Sequence, residues 1–189
     1  MQELLKQFQK NPVIPSAHTP ESVARAAETS AAVIFLLGGS LLTLPEMIRI
    51  AHEGQKRAFV HLDLAEGLGR DEVAVRWCVE KMGADGVIST RPSLLKAASE
   101  LGAITIQRLF LMDSASFEHG KRMLRNTPPD MAEVLPGIAP KAIRQLCEAL
   151  DKPVIAGGLV TEAREIALAL QAGASAVSVG DEKLWNLQI

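Results

Sequence analysis

The chain has 189 residues, 48% of them hydrophobic and 22% charged, with a formal net charge of −2. That length suffices for one domain whose core needs no metal or disulfide staple, since a domain of this size buries about 70% of the surface its unfolded chain exposes. The near-neutral balance excludes a global electrostatic pull toward nucleic acid or membrane, so any RNA or lipid contact has to come from a local patch.

The opening segment, MQELLKQFQK, is amphipathic and holds no apolar run of signal-peptide length. Nowhere is there the roughly 20-residue apolar stretch that a spanning helix requires, which points to a cytoplasmic protein with no membrane contact. Beyond it, short apolar, β-branched runs alternate with longer segments of helical period, the pattern of a parallel sheet wrapped by helices. Strands are expected at Val13–Ala17, Ala32–Leu37, Ala58–Leu64, Gly86–Thr90, Ala103–Leu109, Ala132–Leu135, Pro153–Gly157 and Ala176–Val179. Between them, Pro20, Pro45, Pro92 and Pro140 stand where proline opens a helix without losing a hydrogen bond. Gly54, Gly83, Gly102 and Gly173 stand where glycine stops one in a left-handed cap.

The prediction is therefore one domain over 1–189, a compact TIM-barrel-like (β/α)8 closed parallel barrel. The spacing is tight for an architecture usually of about 250 residues, so loops are short and one helix has room only in reduced form. Gly83-Ala84-Asp85-Gly86-Val87 recurs as Gly173-Ala174-Ser175-Ala176-Val177 at the entries to strands four and eight. Two readings are open: two related halves, or the small residues that generally join a helix to a parallel strand. Cys78 and Cys147 lie in separate helical patterns without CxxC spacing, which suits a reducing compartment and argues against structural zinc.

Ligands of closed α/β barrels sit at the C-terminal ends of the strands. After strand seven comes Gly157-Gly158-Leu159-Val160, and after strand eight Ser178-Val179-Gly180-Asp181. Glycines let backbone N–H groups approach an anion, and a short helix starting near Asp181 would aim its positive end at the same point. Gly157, Gly158, Ser178, Gly180 and Asp181 are thus the expected phosphate cradle. The competing reading, a tight βα turn at Gly157 and Gly158, does not account for the matching glycine at the next strand end.

The period of two assigns Val60, Leu62 and Leu64 to the helix-facing side and leaves His61 and Asp63 pointing into the barrel. Thr105, Gln107, Glu133 and Ser89 are expected inward on the same logic. Burying an unpaired polar group costs about 1–3 kcal/mol, so an inward set of this kind calls for partners. Either ligand hydroxyls supply them, or a self-satisfied network does, with Asp63 or Glu133 paired to Arg108. On the first reading His61, Asp63, Glu66, Ser89, Gln107, Arg108, Glu133 and Gly137 hold the polyol end of a small phosphate ester. Arg91, just after strand four, is placed to reach the same ligand.

His61-Leu62-Asp63 resembles the His-x-Asp metal pair of ribulose-phosphate 3-epimerases, which makes a metal-assisted phosphosugar or triose-phosphate enzyme the alternative. Those enzymes need a second acidic residue on strand seven, where this chain has Ala156, and His18, His52 and His119 do not complete a shell. With no lysine inside a strand and no nucleophile elbow, the set reads as a binder with no catalytic residues, no metal and no cofactor.

Nearly the whole chain is similar to the bacterial glycerol-3-phosphate-responsive antiterminators, the glycerol uptake operon antiterminator proteins. The segments that carry the resemblance are VIPSA at 13–17, VIFLLGG at 33–39, FVHLDLAEGLGRDE at 59–72, GADGVISTRPSLLKAA at 83–98, ITIQRLFLMDS at 104–114, EVLPGI at 133–138, PVIAGGL at 153–159 and KLW at 183–185. The resemblance implies a TIM-barrel-like regulator of glycerol metabolism that senses glycerol 3-phosphate and acts on leader mRNA to permit transcription past a terminator. It departs at the last strand, where the family carries a Ser-Thr-Ser-Asn-like ending and this chain reads Ser178-Val179-Gly180-Asp181. The implied RNA binding has neither an aromatic platform nor a dense arginine stripe behind it. The local candidates are Lys121, Arg122 and Arg125 on one helix and Lys141 and Arg144 on the next. A homo-oligomer is compatible with the sequence, which does not specify one.

Overall fold

Eight parallel strands close on one another in chain order in the computed structural model, which describes residues 1–187. They are β1 (Val13–Ala17), β2 (Val33–Leu36), β3 (Arg57–His61), β4 (Gly86–Ser89), β5 (Ile104–Phe110), β6 (Met131–Leu135), β7 (Val154–Gly157) and β8 (Ala176–Val179). Their ends lie within one residue of expectation except at β3, which stops at His61 and turns into a 3-10 helix, Leu62–Leu64. Leu64 is consequently exposed and does not face the helices.

The helices are α1 (Gln2–Lys10), α2 (Pro20–Ala27), α3 (Leu44–Glu53), α4 (Glu72–Arg76), α5 (Pro92–Glu100), α6 (Ser114–Asn126), α7 (Pro140–Ala149) and α8 (Ala163–Gln171). The four prolines stand in the first turns of α2, α3, α5 and α7, where the N–H they lack has no helical acceptor. The reduced helix is α4, five residues followed by a π turn over Trp77–Lys81. After β8 only a 3-10 turn, Glu182–Leu184, stands where a short helix was expected.

Gly83, Gly102 and Gly173 adopt positive φ as expected, but Gly54 does not: its φ is −78°, and Gln55, at φ 58°, makes the left-handed step. Gly54 is instead a close-approach residue, since a Cβ there would lie 2.6 Å from that of Ala27. The Gly83 and Gly173 turns do match, each passing the second N–H after the glycine to a neighbouring strand (Asp85 to Ala58, Ser175 to Val154). The Gly102 turn before β5 does the same through Ile104 and Asp85, so the pattern is a general helix-to-strand joint rather than a half-barrel repeat.

Two apolar clusters follow from the alternation along each strand. The inner one fills the barrel with Ile14, Val33, Phe35, Phe59, Ile88, Ile106, Met131, Ile155 and Ala176, and Phe35 stacks on Phe59 with centroids 6.1 Å apart. Leu4 and Phe8 of α1 belong to this cluster, so the amphipathic opening segment closes the barrel at its N-terminal end. The outer cluster packs the other strand face against the helices through residues such as Val60, Val87, Leu109, Val134 and Val177.

Because Ile88 and Ile106 point inward, their neighbours Ser89, Thr105 and Gln107 point outward, opposite to expectation. Arg108 and Glu133 take the inward direction, at one register of β5 and β6. The physical reason is that a barrel strand is apolar on both faces, so alternation separates two faces without saying which one is the lumen.

Candidate functional site

At the C-terminal end of the strands the inner face opens into a cavity of about 320 Å³. It is lined by Ser16 and His18 from the end of β1, Leu37 after β2, Arg108, Glu133 and Leu135 from β5 and β6, Gly158 to Thr161 after β7, and Ser178, Gly180 and Asp181. The structure therefore brings the two glycine corners together, as expected of a cradle, and adds Arg108 and Glu133 to them.

Each glycine has a separate reason. A Cβ at Gly157 would fall on Ser178 Oγ and 2.6 Å from Glu133 Oε1, so Gly157 makes room for the hydrogen bond that Ser178 Oγ donates to Glu133 (2.7 Å). Gly158 has φ 77°, and its carbonyl accepts the N–H of Gly137 at 3.0 Å. A Cβ on Gly137 would lie 2.9 Å from the Gly157 nitrogen, so Gly137 supports the corner by packing under it. The N–H of Gly180 has no hydrogen-bond partner among the described residues, while that of Gly158 follows the ladder register that pairs Gly157 with Ser178. Leu159, the next residue, is exposed and itself stands at φ 61°, a conformation that bulky side chains seldom adopt.

The charged element is one ion pair. Arg108 Nε donates to Glu133 Oε2 at 2.6 Å, with the two side chains 7% and 1% exposed. This is the Arg108 pairing that the self-satisfied alternative required. The Arg108 side chain makes no other hydrogen bond among the described residues, so its terminal guanidinium nitrogens remain available to the cavity it lines. Asp181 departs from expectation: its carboxylate accepts from Lys183 N–H at 3.0 Å, capping a turn too short to present a helix dipole.

His61, Asp63, Glu66, Ser89 and Gln107 do not line this cavity. His61 points inward but is buried, and burial together with the nearby Arg108 charge lowers its pKa to about 4, so the ring is neutral at physiological pH. Asp63 Oδ2 accepts from Ser89 Oγ (2.9 Å), Thr90 N–H (2.7 Å) and Thr90 Oγ1 (3.2 Å), and Arg91 Nε stands 3.5 Å from Oδ1. Gln107 Nε2 donates to the carbonyls of Ser89 and Arg108, each at 3.2 Å. Thr105 is spent on Asp130 through Oγ1 and its N–H, both at 2.9 Å. Glu66 is exposed, and its backbone bridges to Ser40. His61 Nδ1 and Asp63 Oδ2 are 3.8 Å apart, and among the described residues no three His, Cys, Asp or Glu groups are gathered as a metal would need.

Ser16, His18 and Thr161 were not anticipated. The signal for the first two was their place at the end of β1, which the apolar neighbours Val13 and Ile14 mark as a strand like the others. Of the basic residues, Lys121 and Lys141 share a cleft of about 770 Å³ between α6 and α7, but Asp113, Glu118 and Glu148 line it too. Lys121 is engaged by Glu118 at 2.7 Å and lies 5.0 Å from the Phe117 ring centroid, while Arg122, Arg125 and Arg144 are exposed.

Fold and site together define a closed (β/α)8 barrel with a glycine-cornered, arginine-bearing cavity at its C-terminal mouth. The glycerol-3-phosphate responsive antiterminator family matches residues 13–185, and the chain belongs to that family. The crystal structure of the glycerol uptake operon antiterminator regulatory protein of Listeria monocytogenes str. 4b F2365 is 31% identical, with a TM-score of 0.88 over 93% of this chain and 95% of its own. A glycerol uptake operon antiterminator-related protein of Thermotoga maritima MSB8 is 32% identical, with a TM-score of 0.82 over 93% of this chain and 98% of its own. The uncharacterized protein YgcP of Escherichia coli (strain K12) is 35% identical over 184 residues, 97% of this chain and 96% of its own. Family membership makes this a regulatory protein of the antiterminator type, and no helix among the described residues is long and apolar enough to cross a membrane.

Proposed function

We propose that glycerol 3-phosphate occupies the cavity at the barrel mouth and that its binding controls the protein's action on leader mRNA of glycerol-use operons in the cytoplasm. One observation carries the reading: the Gly158 corner, the free N–H of Gly180 and the guanidinium of Arg108 line the same cavity. A main-chain donor at a glycine corner and a fixed cation suit a phosphate, and Glu133, Ser178 and Ser16 offer acceptors and hydroxyls to the two alcohols. Glu133 also orients Arg108, and its carboxylate is held by the Arg108 guanidinium and the Ser178 hydroxyl.

A thermal-shift series with glycerol 3-phosphate, glycerol and inorganic phosphate tests the ligand. At a hundredfold excess over Kd the expected gain is about 2.7 kcal/mol, roughly 5–10 °C for a chain of this size. Glycerol 3-phosphate without effect ends the proposal. For the output, the exposed Arg122, Arg125, Lys141 and Arg144 with Lys121 are the candidate RNA contacts. Leader-RNA affinity that falls with salt, and falls less steeply in an Arg122→Ala/Arg125→Ala variant, supports them. A salt slope near zero removes them.

A further inference from the structure

We propose that a second copy of this chain docks on the face formed by the loop after β2, the connection after β3, and α4, giving a two-fold dimer. This goes beyond the ligand reading and does not depend on it. Leu41, Leu42, Leu64, Val73 and Trp77 are all exposed there, with Leu42 at 88%, Val73 at 76% and Trp77 at 48%. Val73 and Trp77 are four residues apart and share one helix face. The two loops form one surface, because Leu41 N–H donates to the Glu66 carbonyl at 2.8 Å and Glu66 N–H to that of Gly39 at 3.0 Å. Exposed apolar side chains that share one surface mark an interaction site, and Leu41, Val73 and Trp77 meet across one groove.

The occupant follows from shape and charge. Beside the protruding Leu42 lies a groove of about 440 Å³ whose walls include Leu41, Pro45, Leu68, Val73, Trp77 and Met82. A knob and a hole on one face are what isologous pairing requires, since whatever one copy inserts the other receives. The rim is mixed: Arg70, Arg76 and Lys81 stand among Glu66, Asp71, Glu72 and Glu80, all exposed. A polyanion would ask for one sign of charge. A two-fold copy brings the same mixture turned over, so acids can meet bases around an apolar centre.

Sedimentation velocity of the full chain over about 1–100 μM reads the association directly. Trp185 is buried, so in a Trp185→Phe background the emission of Trp77 reports whether this face is covered. Expected are a dimer, a blue shift of Trp77 as it forms, and monomers for Leu42→Glu and Val73→Glu with unchanged circular dichroism. Both of those side chains are too exposed for folding to depend on them. A wild type that stays monomeric with water-exposed Trp77 emission overturns the proposal, as do Leu42→Glu and Val73→Glu variants that dimerise as well as the wild type.

Discussion

Arg108 and Glu133 stand at the same register of neighbouring strands, with Nε 2.6 Å from Oε2, and both are buried. Removing one charge strands the other, which costs about 3–5 kcal/mol, whereas replacing both by apolar groups of similar volume is close to neutral. Arg108→Met should therefore unfold at clearly lower urea concentration, and Arg108→Met/Glu133→Leu should recover most of the loss. If the cavity binds glycerol 3-phosphate, neither variant should show heat on titration with it. A double variant as unstable as the single one would mean that the pair does not act as a unit.

Gly158 lies in the left-handed region, where an L-residue costs about 1–2 kcal/mol, and a Cβ there would meet Leu135 Cδ2 at 2.8 Å. Gly158→Asp adds a negative charge to the cavity as well. The variant is expected to melt a few degrees lower and to lose its thermal response to glycerol 3-phosphate. An undiminished response would show that the anion sits elsewhere.

The buried His61 gives a pH dependence of defined sign. Its folded pKa of about 4 lies below the usual 6.5, so between those values the unfolded chain binds the extra proton and stability rises with pH. Acidifying from 6.5 to 4 should thus remove on the order of 2–3 kcal/mol through this group alone. Urea midpoints measured across that window should slope less in His61→Gln. Parallel slopes would assign the acid sensitivity to other groups.

Phe8 inserts from α1 into the inner cluster with Phe35 and Phe59 in it. Phe8→Ala should cost about 3–5 kcal/mol, because both the transfer free energy and the cavity left behind count against the fold. Chemical denaturation checks it, and a loss under 1 kcal/mol (about a fivefold change in the unfolding constant) would show that the barrel floor is closed without this helix.

The sequence by itself determined the barrel. Prolines at four helix starts, β-branched runs at eight strands and glycines at the strand ends are local signals, because they act through backbone geometry that each segment carries with it. It also placed Gly158 and Gly180 together, since adjacent strand ends of a closed sheet have nowhere else to be. What only the tertiary structure decided is direction and partnership. Ile104 and Ile106 could face either the lumen or the helices, and the packing of Phe59, Ile88 and Met131 around them chose the lumen, turning Gln107 out and Arg108 in. The ring of Leu4 and Phe8 under the barrel, the Arg108 to Glu133 pair and the Ser178 bond across 45 residues of chain are likewise contacts between distant segments. Periodicity reports that a strand has two faces; which of them is inside depends on what the other strands bury there.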